Sequence, residues 1–345
     1  MEKFTCVEND AVSLAGNRMI KTLGRHTEEG GKLLFDWSGS GIAFNFHGAG
    51  FILSLGEYKA ETPAYIKITV DGGAYRQRFA VCDGREKIIV EGLPEKRHRA
   101  EIIKITEGAP KLAFEKLSLL GAGAALQLPP RGKRRKLEFI GDSITAGYGV
   151  LGRRSDPSYA TYQQDVTESY AGLTVRATGA EGRYICISGK GIVCNCEGNR
   201  EDVKAGEYYE RLTYGGGICE DGWTPDAVII NIGTNDCGGP AGKEEFAAAA
   251  ENLIRGIRAR YKNAQIIWMY GMMNDYYSET LSDLLRRLAA EDGKVHFLHV
   301  AGITEAETGA NGHPNVCGQA RAAALLTKKL ASVLGWRGTE AAAEE

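Results

Sequence analysis

The sequence predicts two domains in tandem: an all-β jelly-roll sandwich, then an α/β/α domain on a five-stranded parallel sheet. Three observations predict this. Over the first 125 residues, short apolar runs are each closed by glycine or a polar turn. A Pro-Pro pair and a basic run follow, and beyond them apolar runs alternate with helix-period stretches. The expected limits are 1–125 for the sandwich, 126–136 for a linker, 137–336 for the α/β domain and 337–345 for a disordered tail.

The strand candidates of the first half are "KLLFDWSG", "GIAFNFHG", "GFILSLG", "AYIKITVDGG", "YRQRFAVCDG", "REKIIVEGL", "HRAEIIKITEG" and "KLAFEKLSLLG". In "YIKITV", Ile66, Ile68 and Val70 share one face, and Lys67 and Thr69 take the other, the period of a half-buried strand. About eight strands at roughly 8–12-residue spacing imply a sandwich. The stretch "LQLPPRGKRRK" reads as a linker with a solvated charge run.

In the second half, "KLEFIG", "RYICISG", "DAVIINIG", "AQIIWMYG" and "VHFLHVAG" read as strands. "DAVIINIG" is the continuous apolar run of a strand buried on both faces. "SYATYQQDVTESYAGL", "KEEFAAAAENLIRGIRARY" and "SETLSDLLRRLAAE" read as helices, and a last one runs from about Val316 to Leu334. In the second of these, Phe246, Leu253, Ile254 and Ile257 form the apolar face. Alternation of this kind builds a parallel sheet with helices on both faces.

Composition removes several function classes. Hydrophobic residues make up 43% and charged residues 25% of the 345, with a net charge of −2. That balance offers no field for nucleic acid, and "RGKRRK" has no aromatic interleaving. No apolar run approaches the roughly 20 residues of a membrane span. The start, "MEKFTCVENDAVSLAG", lacks the basic and apolar regions of a secretory signal. The expectation is a cytoplasmic protein, or a secreted one if a signal has been removed. The eight cysteines (6, 82, 186, 194, 196, 219, 237 and 317) are expected to be reduced. Cys194 and Cys196 stand closer than a usual zinc pair, so no metal and no cofactor is expected.

Four residues stand where chemistry is expected in a parallel sheet, beyond the carboxyl ends of strands. Ser143 follows "EFIGD"; Gly141 before it permits a sharp exit from the strand, and the chain then enters a turn or helix start. Gly189 follows "RYICIS", Asn235 lies in "GTND" after "DAVIINI", and His313 lies in "NGHPN", before a proline that can open the last helix. The other histidines (26, 47, 98, 296 and 299) have no such placement and read as structural. Tyr148, Trp223 and Met272, with Met273, are candidates for lining a sugar or acyl pocket, against the plainer reading of packing.

The order GDS, Gly, GTND and HP resembles the SGNH (GDSL) hydrolase superfamily over residues 137–335, a flavodoxin-like α/β/α fold. With the first half, "GR" (24–25), "FDWSGSGIAFNFHG", "VDGG" and "HRAEIIKITEG", the chain looks like carbohydrate esterase family 2. The resemblance implies a jelly roll packed on a catalytic domain that removes acetyl groups from plant polysaccharides, commonly from sugar 6-hydroxyls. The implied partner is an acetylated sugar or small ester, with no nucleic acid and no membrane. Ser143 is then the nucleophile and His313 the base. The N–H groups of Ser143 and Gly189 and the Asn235 amide form the oxyanion hole.

The third triad member is the open point. Many members of the superfamily place Asp three residues before the histidine, where this chain has Ala310; family 2 enzymes often place one two residues before, where it has Asn311. Either a backbone carbonyl orients His313, giving a Ser–His dyad, or a carboxylate such as Glu305 or Glu307 does. The dyad is the preferred reading. Asp142 and Asn311 are supporting residues, Asp142 by holding its loop. Two other functions compete: a short-chain lipase or thioesterase on the same fold, and a carbohydrate-binding protein with a decayed site.

Overall fold

The computed structural model describes residues 11–108, 111–156, 158–239 and 241–336. The tail expected at 337–345, most of the N-terminal stretch and Cys6 lie outside the described residues. The chain divides into two compact units, Met1–Arg131 and Gly132–Glu345.

The first unit is a β-sandwich. Its strands are β1 (Val12–Ser13), β2 (Ile20–Leu23), β3 (Thr27–Glu29), β4 (Lys32–Phe35), β5 (Gly41–Gly48) and β6 (Gly50–Leu55). They continue as β7 (Ala64–Val70), β8 (Tyr75–Val81), β9 (Lys87–Val90), β10 (Lys96–Lys104), β11 (Leu112–Leu120) and β12 (Ala125–Gln127). One sheet runs β3-β4-β11-β6-β9 with β1 on β11; the other runs β12-β5-β10-β7-β8 with β2 on β5. All eight runs read as strands contain one. The short strands β1, β2, β3 and β12 carry too few apolar residues to show as runs.

Inward-facing residues of the two sheets make one core. Phe44 stands opposite Ala100 and Ile42 opposite Ile102, and all four are buried. Phe51 meets Phe44 edge-on, with ring centres 5.2 Å apart. Each such side chain contributes roughly 1.5–3 kcal/mol by leaving water. Polar groups are buried with them, among them His98, which places Nδ1 2.8 Å from Asp71 Oδ2 and Nε2 2.7 Å from the Pro94 carbonyl.

β12 runs two residues into the stretch expected as a linker. The basic run there is also less solvated than expected. Arg135 is buried, donates to the Thr178 carbonyl at 2.9 Å and lies over the Trp336 ring. Trp336 and Thr178 give its long stem and flat guanidinium an apolar cover and an acceptor.

The second unit is an α/β/α domain. Its strands are β13 (Lys136–Gly141), β14 (Glu181–Cys186), β15 (Ala227–Asn231), β16 (Gln265–Tyr270) and β17 (Val295–His299). They form a parallel sheet in the order β14-β13-β15-β16-β17. Its helices are α1 (Ser143–Ala146), α2 (Tyr170–Thr178), α3 (Ala205–Tyr208), α4 (Lys243–Arg260), α5 (Ser278–Glu291) and α6 (Val316–Leu334). Alternate strand residues feed two layers. Leu137, Phe139, Ile229, Ile267 and Met269 pack with Tyr170, Ala322, Leu326 and Leu330 of α2 and α6. On the other face, Phe246 of α4 meets Trp268 edge-on at 6.2 Å. The buried Phe246, Leu253, Ile254 and Ile257 are the apolar face of α4.

Residues 158–173 are not one helix. Two 3-10 turns, Thr161–Gln163 and Val166–Glu168, precede α2. Asp165 accepts from the Thr167 N–H at 3.0 Å and its hydroxyl at 2.6 Å, and Ser169 caps α2 through the Gly172 N–H. These local side-chain bonds compete with the helical ladder and break it.

The strand order reverses on either side of β13, so the crevice beyond its carboxyl end is the topological switch point of the sheet.

Candidate active site

Ser143 leaves β13 at this point. It is nearly buried and opens the single turn α1, which Asp142 caps by accepting from the Ile144 N–H at 3.0 Å. Asp142 is fully buried, and the cap fixes the turn and the direction of Ser143. Gly141 is needed for space rather than for φ: a Cβ there would lie 1.9 Å from Thr145 Oγ1. That hydroxyl lies 2.8 Å from the buried Tyr170 hydroxyl, whose pKa burial pushes up. Gln319 of α6 ties the turn down, donating to the Ile144 carbonyl at 3.0 Å and accepting from the Tyr170 N–H at 2.7 Å.

His313 reaches the same point from the loop between β17 and α6. Its Nε2 lies 2.8 Å from Ser143 Oγ, and its Nδ1 lies 3.0 Å from the backbone carbonyl of Asn311. A carbonyl only accepts, so Nδ1 carries the proton and Nε2 presents its lone pair to the hydroxyl. Asn311 aims its carbonyl from a left-handed conformation, φ 50° and ψ 37°, which asparagine tolerates better than most residues. The loop is tied to the nucleophile segment by the Ala310 N–H, which donates to the Gly149 carbonyl at 3.2 Å. Burial pushes the His313 pKa down, while the bond to the Asn311 carbonyl works the other way. The imidazole is therefore neutral near pH 7 and ready to take a proton.

Neither glutamate is the third member. Glu305 is exposed and pairs with Arg154 at 2.9 Å. Glu307 pairs with Arg321 at 2.6 Å, and that guanidinium, with the Thr304 N–H, holds its carboxyl at about 2. Pro314 does not open α6 either. It forms a β-bridge with Thr308, and Asn315 caps the helix by accepting from Cys317 and Gly318.

Two more strand ends face Ser143. Gly189, past β14, has φ +77°, and a Cβ there would lie 2.8 Å from Cys196 Sγ. Both constraints call for glycine. Asn235, past β15, donates Nδ2–H to the Lys190 carbonyl at 2.9 Å, with Asp142 Oδ2 at 3.4 Å. The amide thus spans the Ser143 and Gly189 loops. The N–H groups of Ser143 and Gly189 donate to no acceptor among the described residues.

Sequence reasoning passed over Asp236. It is fully buried, and its Oδ1 accepts from the N–H groups of Ile192, Val193 and Cys194 at 3.1, 2.7 and 2.9 Å. Burial pushes its carboxyl pKa up, against these three donors. Its place beside Asn235 in "GTND" was the available signal.

The candidate pocket residues divide. Tyr148 is at the site: its ring lies 4.4 Å from the His313 ring and stacks on Tyr159 at 3.7 Å. Trp223 is not. Its Nε1–H donates to Glu181 at 3.1 Å and its ring lies under Arg183, at the amino edge of the sheet. It precedes β15 by a few residues, so the chain has not yet crossed the sheet. Met272 is 2% exposed and belongs to the core under α6, with Met273 packed against it. The thioether finds an apolar environment there that the crevice would not supply.

Among the described residues, no group of three or more His, Cys, Asp or Glu side chains is placed to hold a metal ion. Seven cysteines among the described residues stand outside any disulfide. No described helix is long and apolar enough to cross a membrane.

A hydroxyl paired with a neutral imidazole, at the switch point of a parallel sheet and beside open N–H groups, is the arrangement of a serine-type acyl hydrolase. The chain belongs to the GDSL-like lipase/acylhydrolase family, whose sequence pattern matches residues 139–321. Residues 22–130 match the carbohydrate esterase 2 N-terminal domain. The chain is 30% identical over 317 residues to a cellulase/esterase, CelE, of Acetivibrio thermocellus, covering 87% of this chain and 38% of that protein. It therefore spans well under half of that relative's length. It is 24% identical to an acetylxylan esterase/glucomannan deacetylase of Cellvibrio japonicus, covering 69% of this chain and 68% of that one. A family two carbohydrate esterase from Clostridium thermocellum, solved in complex with cellohexaose, superposes with a TM-score of 0.82 at 27% identity, covering 92% of this chain and all of that one.

Proposed function

We propose that this chain is a serine esterase that removes O-acetyl groups from carbohydrates through a Ser–His dyad. One observation carries the reading: His313 Nε2 lies 2.8 Å from Ser143 Oγ while Nδ1 lies 3.0 Å from the Asn311 carbonyl. Ser143 Oγ attacks the acetyl carbonyl as its proton passes to His313 Nε2. The carbonyl oxygen becomes an oxyanion that meets the Ser143 and Gly189 N–H groups, and the Asn235 amide joins them by turning one N–H away from its long 3.4 Å contact with Asp142 Oδ2. The intermediate collapses, the bond to the sugar oxygen breaks, and the imidazolium returns its proton to that oxygen. Water, deprotonated by the same imidazole, then attacks the acetyl-serine; as the bond to Ser143 Oγ breaks, the imidazolium returns the proton to Oγ and acetate leaves. The Asn311 carbonyl keeps Nδ1 protonated throughout, although a neutral acceptor stabilises imidazolium less than a carboxylate does. Tyr148 forms the wall of the crevice on the His313 side. The likeness to the acetylxylan esterase/glucomannan deacetylase of Cellvibrio japonicus supports an acetylated plant glycan as the substrate class.

The test is acetate release from acetylated xylo-oligosaccharides and from p-nitrophenyl acetate, with Ser143→Ala as control. The expected result is turnover of both that Ser143→Ala abolishes, with octanoyl esters much poorer. Turnover that survives Ser143→Ala, or a preference for octanoyl over acetyl esters, would overturn the reading.

A further inference from the structure

The loop that carries Gly189 has no regular structure to hold it, yet its amides are engaged. Gly189's carbonyl accepts from the Cys196 N–H at 2.8 Å, and Lys190's carbonyl accepts from the Asn235 amide at 2.9 Å. Gly191's N–H donates to Asn195 Oδ1 at 3.1 Å. The next three amides, of Ile192, Val193 and Cys194, all converge on one carboxylate, Asp236, which sits 42 to 44 positions along the chain. Three successive N–H groups around one anion form a concave cradle of the kind that binds anions. Here the occupant is the protein's own side chain; Arg200, which forks onto Glu245, acts on it only through longer-range Coulomb attraction.

A carboxylate is costly to bury without a cation. A loop that needed only to be covered could be held by apolar contacts. The location answers why a charged clip is used. Asp236 follows Asn235 directly, so one turn sets both the Asn235 amide and the loop that carries the Gly189 N–H. We propose that Asp236 is a positioning residue for ester hydrolysis: its buried carboxylate clips the 192–194 amides and so fixes the Gly189 N–H where the transition-state oxyanion forms. The proposal rests on the esterase reading above.

An amide at position 236 fails in a specific way. Ile192 N–H reaches Oδ1 at 3.1 Å and Oδ2 at 3.2 Å. In Asp236→Asn an NH2 replaces one oxygen and turns a donor toward a donor. The volume is unchanged, so the loop loosens without a cavity.

The experiment compares Asp236→Asn and Ser143→Ala with the unsubstituted chain on p-nitrophenyl acetate. It also measures inhibition by a boronic acid, which forms a tetrahedral anionic adduct on the serine hydroxyl. The expected result for Asp236→Asn is a kcat about 10- to 100-fold lower, less than the loss of a whole donor. KM should stay within about threefold, and boronic acid inhibition should weaken by the same factor as kcat. Unchanged kcat and boronate affinity in Asp236→Asn, with Ser143→Ala inactive, would sink the inference and leave the esterase reading standing. A proportional loss of thermal stability, KM and kcat would also sink it, because Asp236 would then be only a structural pin. Full activity of Ser143→Ala would instead remove the esterase reading itself. Hydrogen exchange on the unsubstituted protein tests the clip even if Asp236→Asn does not fold. The amides of 192–194 should exchange slowly, and exchange at the rate of an open loop would overturn the proposal.

Discussion

The parallel sheet has two edges with polar residues at both, and they are wired differently. At the amino edge the polar side chains answer one another. Arg183 forks onto Asp221 at 3.2 and 2.5 Å. Asp221 accepts from the Trp223 N–H at 3.1 Å, Trp223 donates to Glu181, and Asp226 accepts from the Lys136 N–H at 2.8 Å. At the carboxyl edge the scaffold is just as closely bonded through Asp142, Gln319 and Asp236. Apart from the Asn235 amide, which is held by Lys190 and Asp142, the bonds stop short of the reacting atoms, however. Among the described residues the Ser143 and Gly189 N–H groups have no acceptor, and the Ser143 hydroxyl meets the His313 imidazole rather than a structural acceptor. A satisfied network stabilises; a held but unsatisfied one stands ready for a charge that develops only in the transition state.

Substitutions at the carboxyl edge should therefore cost activity far more than stability. The largest effect is expected from Ser143→Ala and His313→Ala, each lowering kcat on p-nitrophenyl acetate by on the order of 10³ or more. A loss under tenfold in either would mean that the edge works by another nucleophile. Asn235→Ala should follow, with kcat down about 10²–10³; a rate near that of the unsubstituted chain would take the amide out of the oxyanion hole.

The pH profile probes the same edge without a substitution. The pKa of His313 lies below its ordinary value, because burial disfavours the imidazolium. The neutral form acts as base, so kcat/KM should be flat above pH 7 and fall about tenfold per pH unit once the pH is below the His313 pKa. An inflection above pH 7 would require an anionic partner at Nδ1. Asn311→Gly sharpens the point further. The carbonyl of residue 311 bonds the ring and its side-chain amide reaches only the Tyr148 hydroxyl, at 3.4 Å; glycine loses that long contact but keeps both the carbonyl and the left-handed backbone. Activity should stay within about threefold; a loss on the order of 10² would assign the role to the Asn311 side chain.

Ser143, Gly189 and Asn235 could be placed at the carboxyl edge because each stands just past an apolar run, and His313 because it lies in the loop that leads into the last helix. The acceptor at His313 Nδ1 could not. Choosing between a carbonyl and two nearby glutamates depends on how a short loop turns, and Arg154 and Arg321 claim the glutamates from elsewhere. Asp236 was hidden for a related reason, since its partners are backbone amides, which carry no residue signature. The reading of 158–173 as one helix counted its composition and overlooked Asp165 and Ser169, whose side chains bond the backbone in place of the helical ladder. Met272 follows β16 at the active edge, yet turns under it into the core.

Trp223 tests the other half of the comparison. As a half-buried tryptophan under a guanidinium, with its N–H bonded, it has the look of a ligand platform. Its bonds to Glu181 and Asp221 and its stacking with Arg183 tie three segments at the start of the sheet. Trp223→Ala removes a hydrogen bond and a cation–π contact of about 1 kcal/mol each, with part of a tryptophan's packing. Thermal or urea unfolding should therefore show roughly 2–3 kcal/mol of lost stability. The kcat and KM for acetylated xylo-oligosaccharides should stay within about twofold, because Glu181, Asp221, Arg183 and Lys136, which hold the tryptophan, all stand at the amino edge of the sheet. A rise in KM of tenfold with unchanged stability would reverse the assignment, making this edge a glycan-contacting surface and ending the distinction drawn between the two.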